Sequence, residues 1–162
     1  MSHTFLCIWM LTLLFAACQQ QPPPPQKPDF TGTWKFNPQK SKLQIAAPDS
    51  TVFVVEHREP HFRLSRTHTF AGKSDTWGIE LTTDGKEFTR EEPQRTLRGR
   101  LVWEGDALVF TVHIWQRDGE ELTDRVKYVL ASDHKSFTAY ESYRGRTAHA
   151  DNVWVLEKQD GP

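Results

Sequence analysis

The stretch Asp29-Phe30-Thr31-Gly32-Thr33-Trp34-Lys35-Phe36 decides how the chain is read. Its residues alternate: Phe30, Gly32, Trp34 and Phe36 fall on one face of an extended strand, and Thr31, Thr33 and Lys35 on the other. That is the period-two pattern of a half-buried β-strand. A glycine two residues before an indole lets a second segment come close to the backbone, with the ring covering the approach. Gly32 and Trp34 are therefore candidates for structural closure, the point at which a larger sheet is shut.

Immediately upstream the composition changes. Gln19 to Pro28 reads QQQPPPPQKP, a low-complexity run that favours an extended polyproline rod of about 3 Å per residue and carries nothing for a core. Before it, Phe5 to Ala17 (FLCIWMLTLLFAA) is an apolar run of signal-peptide length, short for a membrane span. The boundaries read as a signal peptide over 1–17, a tether over 18–28 led by Cys18, and one folded domain over 29–160. The cysteines are Cys7 and Cys18. Cleavage before or near Cys18 leaves a domain without a disulfide, stabilised by its core alone.

The 162 residues suffice for one domain with a sizeable core. Lys and Arg number 20 against 21 Asp and Glu, so no basic excess points to nucleic acid. Six Trp and two Met suit strands better than helices.

Downstream of Phe36 the sequence breaks into short strand-like segments: 51–58, 61–70, 76–83, 87–91, 95–104, 107–116, 121–131, 136–143 and 149–158. Only 37–50 lacks the pattern; it reads as a short helix near Lys40–Ile45 or as a crossing loop. Hairpin parity tests the arrangement. A two-residue turn at Gly105-Asp106 sets Trp103 against Leu108 and Leu101 against Phe110, so the apolar faces coincide. A three-residue loop at Arg117-Asp118-Gly119 sets Ile114 against Leu122, Phe110 against Val126 and Leu108 against Tyr128. Consistent register over three strands predicts an antiparallel meander. Eight to ten such strands close into an all-β up-and-down barrel, which removes sheet edges.

The run Phe30-Thr31-Gly32-Thr33-Trp34-Lys35 resembles the opening strand of the lipocalin and fatty-acid-binding (calycin) group, marked by Gly-x-Trp. Extended to Lys42, it is similar to uncharacterised exported lipocalin-like bacterial proteins that open Gly-Thr-Trp-Lys-x-Asn-x-x-Lys-Ser. Those end in a strand like Asn152-Val153-Trp154-Val155-Leu156-Glu157-Lys158-Gln159. The resemblance implies a lipocalin-like barrel in which Trp34 is buried against the last strand, near Trp154 to Lys158. In true lipocalins an Arg from the end of the barrel packs across the Trp; this chain departs from that, with Lys158 near its end and Arg144 and Arg146 in the preceding turn. Ala16-Ala17-Cys18 resembles the lipobox of bacterial lipoproteins, implying lipidation of Cys18, a membrane as partner, and a place in the outer membrane or periplasm. Plain secretion is the other reading of the same residues.

The interior candidates come from strand phase. Arg66 and His68 share the face of Phe62, Leu64 and Phe70, Asp124 lies near Val112, and Glu141 faces inward if the connection at Ser132–Lys135 holds an even number of residues. Arg66, His68, Asp124, Phe110, Tyr128 and Trp103 are the candidate ligand-binding residues. An interior Arg either clamps a ligand carboxylate or pairs internally with Asp124 or Glu141, and the aromatics either line a cavity or fill it. His57, His61, His68, His113, His134 and His149 form no three-ligand set by spacing, so no metal or other cofactor is expected. Ser41, Ser65 and Ser142 lack a nucleophile-elbow context and no phosphate loop occurs. The expectation is a binder of a small apolar or amphipathic molecule. A filled structural or protein-interaction barrel is the alternative, and a hydrolase or isomerase in such a shell a further one.

Overall fold

The computed structural model describes residues 26–160. The signal-peptide reading, Cys18 and most of the tether lie outside the described residues. Ten strands follow one another: β1 (Gly32–Phe36), β2 (Ser50–Arg58), β3 (His61–Phe70), β4 (Lys73–Thr82), β5 (Phe88–Glu92), β6 (Arg95–Glu104), β7 (Ala107–Gln116), β8 (Glu121–Leu130), β9 (Ser136–Gly145) and β10 (His149–Lys158). They form one antiparallel sheet in the order β4-β3-β2-β1-β10-β9-β8-β7-β6-β5. The first strand joins the last, so the meander curls into a nearly closed up-and-down barrel.

The hairpin registers follow from turn chemistry. Glu104 pairs with Ala107 and Trp103 with Leu108, with Gly105 at φ +64, the left-handed conformation that a tight hairpin needs. Ile114 pairs with Leu122 and Leu108 with Tyr128, with Gly119 at φ +86. The strand at 76–83 begins earlier than its pattern suggests. Phe70 pairs with Lys73 across Ala71-Gly72, both at positive φ, so the hairpin turns on two residues and the exposed start of β4 shows no apolar alternation.

β1 supplies the closure. Trp34 is fully buried, pairs with Lys158 on β10 and with Phe53 on β2, and donates its indole N–H to the carbonyl of Phe30 at 2.9 Å. The Lys158 ammonium lies 5.2 Å from the ring centroid, a cation–π contact. A Cβ on Gly32 would stand 2.9 Å from Lys158 Cε, so the glycine makes room for the lysine stem that crosses the indole.

One alternative is decided and one expectation corrected. Segment 37–49 holds no helix; it is a loop that turns at 38–40 and then straps the upper half of β10. Lys42 bridges Val153, Asn37 N–H donates to Val155 O, and Gln44 N–H donates to Asn152 Oδ1 at 2.8 Å. The five-residue β1 is too short to cover the ten-residue β10, and unpaired strand carbonyls and amides need partners, which the strap provides. Nor does the sheet lose all its edges: β4 and β5 are the two ends of the strand order. Side chains bridge them, with Trp77 Nε1 donating to Glu92 Oε1 at 3.2 Å and Arg90 donating to the carbonyl of Gly78. The β4–β5 link instead sends Asp84 to bridge Val102 on β6.

Candidate functional site: a cavity inside the barrel

The two ends of the barrel differ. At the closed end, where β1 begins, aromatic rings fill the interior. Phe137 is the floor: it meets Trp34 edge-on at 4.9 Å and lies 5.9 Å from Phe30, 6.0 Å from Phe53 and 6.0 Å from Tyr128. Beneath it a polar network seals the base. His57 Nδ1 accepts from Phe30 N–H at 3.3 Å, so Nε2 carries the proton and donates to Glu59 at 2.9 Å. Glu59 also accepts from Thr83 Oγ1 at 2.6 Å and Trp103 Nε1 at 2.8 Å. Burial pushes the Glu59 carboxyl up, and these three hydrogen bonds more than offset it, leaving the group below its usual range.

Trp103 therefore stands away from the other candidates. It packs 6.2 Å from Phe30 and 5.9 Å from His57 at the base and does not line the cavity. It lies two residues before Gly105 in the turn at the closed end, where its side chain packs onto Phe30 in the chain entering β1.

Above Phe137 lies a cavity of about 410 Å³. Five sequence candidates meet in its wall: Arg66 and His68 from β3, Phe110 from β7, and Asp124 and Tyr128 from β8. Glu141 also lines it. The β8–β9 hairpin pairs Leu130 with Phe137, an even connection, and this sets Glu141 inward. The lower wall is apolar, with Leu64, Ile79, Leu101 and Val126. At the mouth stand Ile45 from the strap and Phe70 from the end of β3, 46% and 43% exposed, two large apolar side chains in water at the entrance to an apolar space. The strand phase of the sequence places Phe70 inward with Phe62 and Leu64; it misses Ile45, which lies in a loop.

The polar groups form a belt between mouth and floor. Glu141 Oε2 accepts from Asn152 Nδ2 at 2.7 Å and from Trp154 Nε1 at 2.9 Å, its partners one strand away on β10. His68 Nδ1 shares a 2.7 Å hydrogen bond with the buried Thr51 hydroxyl. Burial first, and the Arg66 charge second, push the His68 imidazole down to about 4, so it is neutral at pH 7. Burial, then the Glu141 carboxylate, push Asp124 up to about 7, against the pull of Arg66. Burial holds the Tyr128 phenol firmly protonated.

Arg66 and Asp124 do not pair. Arg66 Nε and Asp124 Oδ1 are both buried and have no hydrogen-bond partner among the described residues. The guanidinium instead lies 5.5 Å from the centroid of the Trp77 ring. β3 and β8 stand on opposite sides of a ring of ten strands, so the two side chains face each other across the interior. The internal ion pair admitted by the sequence does not form between them. Among the described residues no group of three or more His, Cys, Asp or Glu is placed to hold a metal ion.

The architecture is that of the lipocalin and fatty-acid-binding (calycin) barrels. Secretory abundant heat soluble protein 4 from Ramazzottius varieornatus superposes with a TM-score of 0.51 at 12% identity, over 81% of this chain and 95% of that one. A mutant of the REP1-NXSQ fatty acid transporter gives 0.52 at 11%, over 80% and 98%. The zebrafish ileal bile acid-binding protein, complexed with cholic acid, gives 0.50 at 14%, over 80% and 98%. At such identities the likeness is one of fold. No protein-family model matches the chain, and no curated protein matches it in sequence.

Proposed function

We propose that this barrel holds a small apolar or amphipathic molecule in the cell envelope, tethered to a membrane through lipidated Cys18. The carrying observation is the cavity: about 410 Å³, walled by aliphatic and aromatic side chains, with a few inward polar groups. Binding pockets for small molecules are of this kind, about 300–1,000 Å³ and mostly apolar with few polar groups. Phe70 and Ile45 at the mouth give an apolar entrance. Two proteins of similar fold are a fatty acid transporter and a bile acid-binding protein, which agrees with an apolar cargo. The apolar run 5–17, which ends in Ala16-Ala17, with Cys18 and a Gln/Pro-rich run after it, supports the export and the anchor.

Titrating the full chain with an environment-sensitive apolar dye tests the binding. The expected result is a saturable rise in emission at one dye per chain. Ala139, buried in the cavity wall, offers the control: Ala139→Phe puts a ring into the cavity and abolishes the signal while far-ultraviolet circular dichroism is kept. No saturable uptake, or uptake unchanged in Ala139→Phe, overturns the reading. Mass spectrometry of the mature N-terminus tests the anchor, and a free Cys18 thiol rules it out.

A further inference from the structure

We infer that the polar end of the bound molecule is an uncharged hydroxyl or carboxamide that bridges Arg66 and Asp124, and that free carboxylates are selected against. This rests on the cavity being a binding site, and it identifies the chemical class that the site takes.

The cavity wall carries one interior cation and two carboxyl groups. The cation is Arg66; the carboxyl groups are Asp124 and Glu141. The other guanidinium at the cavity, Arg95, is committed at the rim to Glu92 at 2.7 Å, and His68 is neutral, its Nδ1 held by Thr51. A ligand carboxylate would bring a third acid to a single guanidinium, inside a space where water screens poorly. An interior Arg favours a carboxylate when its fork faces no competing acid. Arg66 faces one directly across the barrel.

Hydrogen-bond valence points the same way. Arg66 Nε–H is a donor without an acceptor, and Asp124 Oδ1 is an oxygen without a donor. Buried groups of this type are costly unless matched. A ligand carboxylate only accepts; where Asp124 is ionised, as at pH 8, it satisfies Arg66 and sets lone pairs against Asp124. An ammonium only donates; it satisfies Asp124 and repels Arg66. A hydroxyl or a primary amide does both. It accepts from the guanidinium and donates to the carboxylate. Glu141 does not compete for the donor, because Asn152 and Trp154 already supply it with two N–H groups.

The height of the belt sets the shape. Arg66 lies four residues from the mouth end of β3, and Asp124 three from that of β8. At about 3.4 Å per residue along strands tilted by about 40° to the barrel axis, the head group sits roughly 8–10 Å inside. The apolar body then extends down to Phe53 and Tyr128, over Leu64, Ile79 and Leu101.

The test is a matched series on the full chain at pH 8: decan-1-ol, decanamide, decanoate and decylamine. Binding is read by displacement of the apolar dye and by emission of the cavity-lining Trp77 and Trp154. Decanol and decanamide are expected to bind about tenfold or more tighter than decanoate and decylamine, the scale set by one buried charged group left mismatched. Asp124→Asn should shrink the penalty on decanoate, and Arg66→Met the penalty on decylamine. Equal affinity across the series leaves the apolar cavity standing and overturns the head-group assignment, as does tighter decanoate. If none of the four binds, the binding reading itself fails and this inference with it.

Discussion

Replacing Asp124 with Asn should make the barrel more stable in neutral and alkaline solution, and the gain should vanish in acid. Burial and the neighbouring Glu141 raise the Asp124 carboxyl from 3.8 to about 7. Between those values the folded chain holds a proton that the unfolded chain has released. Stability therefore falls as pH rises through that window, and the loss is complete above about pH 7. At about 1.4 kcal/mol for each tenfold change in proton affinity, the separation sets a ceiling of about 4 kcal/mol. Relaxation around the cavity reduces it, so a gain of about 1–4 kcal/mol is expected in Asp124→Asn at pH 8. His68 acts in the opposite sense. Its folded value of about 4 lies below its unfolded 6.5, so its contribution to stability grows as pH rises from 4 to 6.5. The two slopes partly cancel in the wild type, and Asp124→Asn should unmask the rising one. Urea denaturation followed by tryptophan emission, at pH 4 to 8 in steps of one, measures both. Subtracting wild type from variant removes every other titrating group. A difference that does not grow with pH, or a variant less stable than wild type at pH 8, refutes the placement of Asp124 as a buried, unpaired carboxyl.

Three further outcomes follow from the geometry. Trp34→Ala removes a fully buried ring that meets Phe137 at 4.9 Å and carries Lys158 on its face; it should cost about 3–5 kcal/mol in urea denaturation, and a loss below 1 kcal/mol would show that the plug does not close the barrel. Gly99→Ala would place a Cβ 2.3 Å from the Thr111 carbonyl oxygen and 2.9 Å from Val112 Cα. Backbone cannot move aside as a side chain can, so a loss of about 1–3 kcal/mol or more is expected; an unchanged denaturation midpoint would contradict the close approach of β6 and β7. The β4–β5 seam, joined by side chains, should exchange amide hydrogens sooner than β7 and β8, and Trp77→Phe, which removes the bond to Glu92, should speed exchange in 73–82 and 88–92 further. Uniform protection around the ring would mean the seam is as firm as the paired strands.

The hairpins of β6, β7 and β8 were legible from the sequence because the evidence is local. Side chains alternate with a period of two, and Gly105 and Gly119 mark loops whose lengths determine the parity. Once Ile114 opposes Leu122, the inward facing of Asp124 follows; Arg66 and His68 face inward by the phase of Phe62 and Leu64 on their own strand, and Glu141 only on condition that the β8–β9 connection is even. Height along the barrel is another matter. Trp103 and Phe110 share an inward phase, yet one lies in the sealed base and the other in the cavity wall. Strand phase says which way a side chain points and nothing of the level at which strands from opposite sides of the ring are staggered.

The sequence by itself thus determined the antiparallel meander, the closing role of Gly32 and Trp34, and the set of polar residues that turn inward, all products of nearest-neighbour pairing. Only the tertiary structure decided that Phe30, Trp34 and Phe137 fill one end while the rest of the interior stays open. It alone decided that residues 37–49 strap β10, that β4 and β5 meet through Trp77 and Arg90, and that Arg66 and Asp124 face one another without touching. These depend on how far the ring curls and on the width it leaves between β3 and β8. That width is a sum over ten strands of twist and stagger, a quantity no single hairpin encodes.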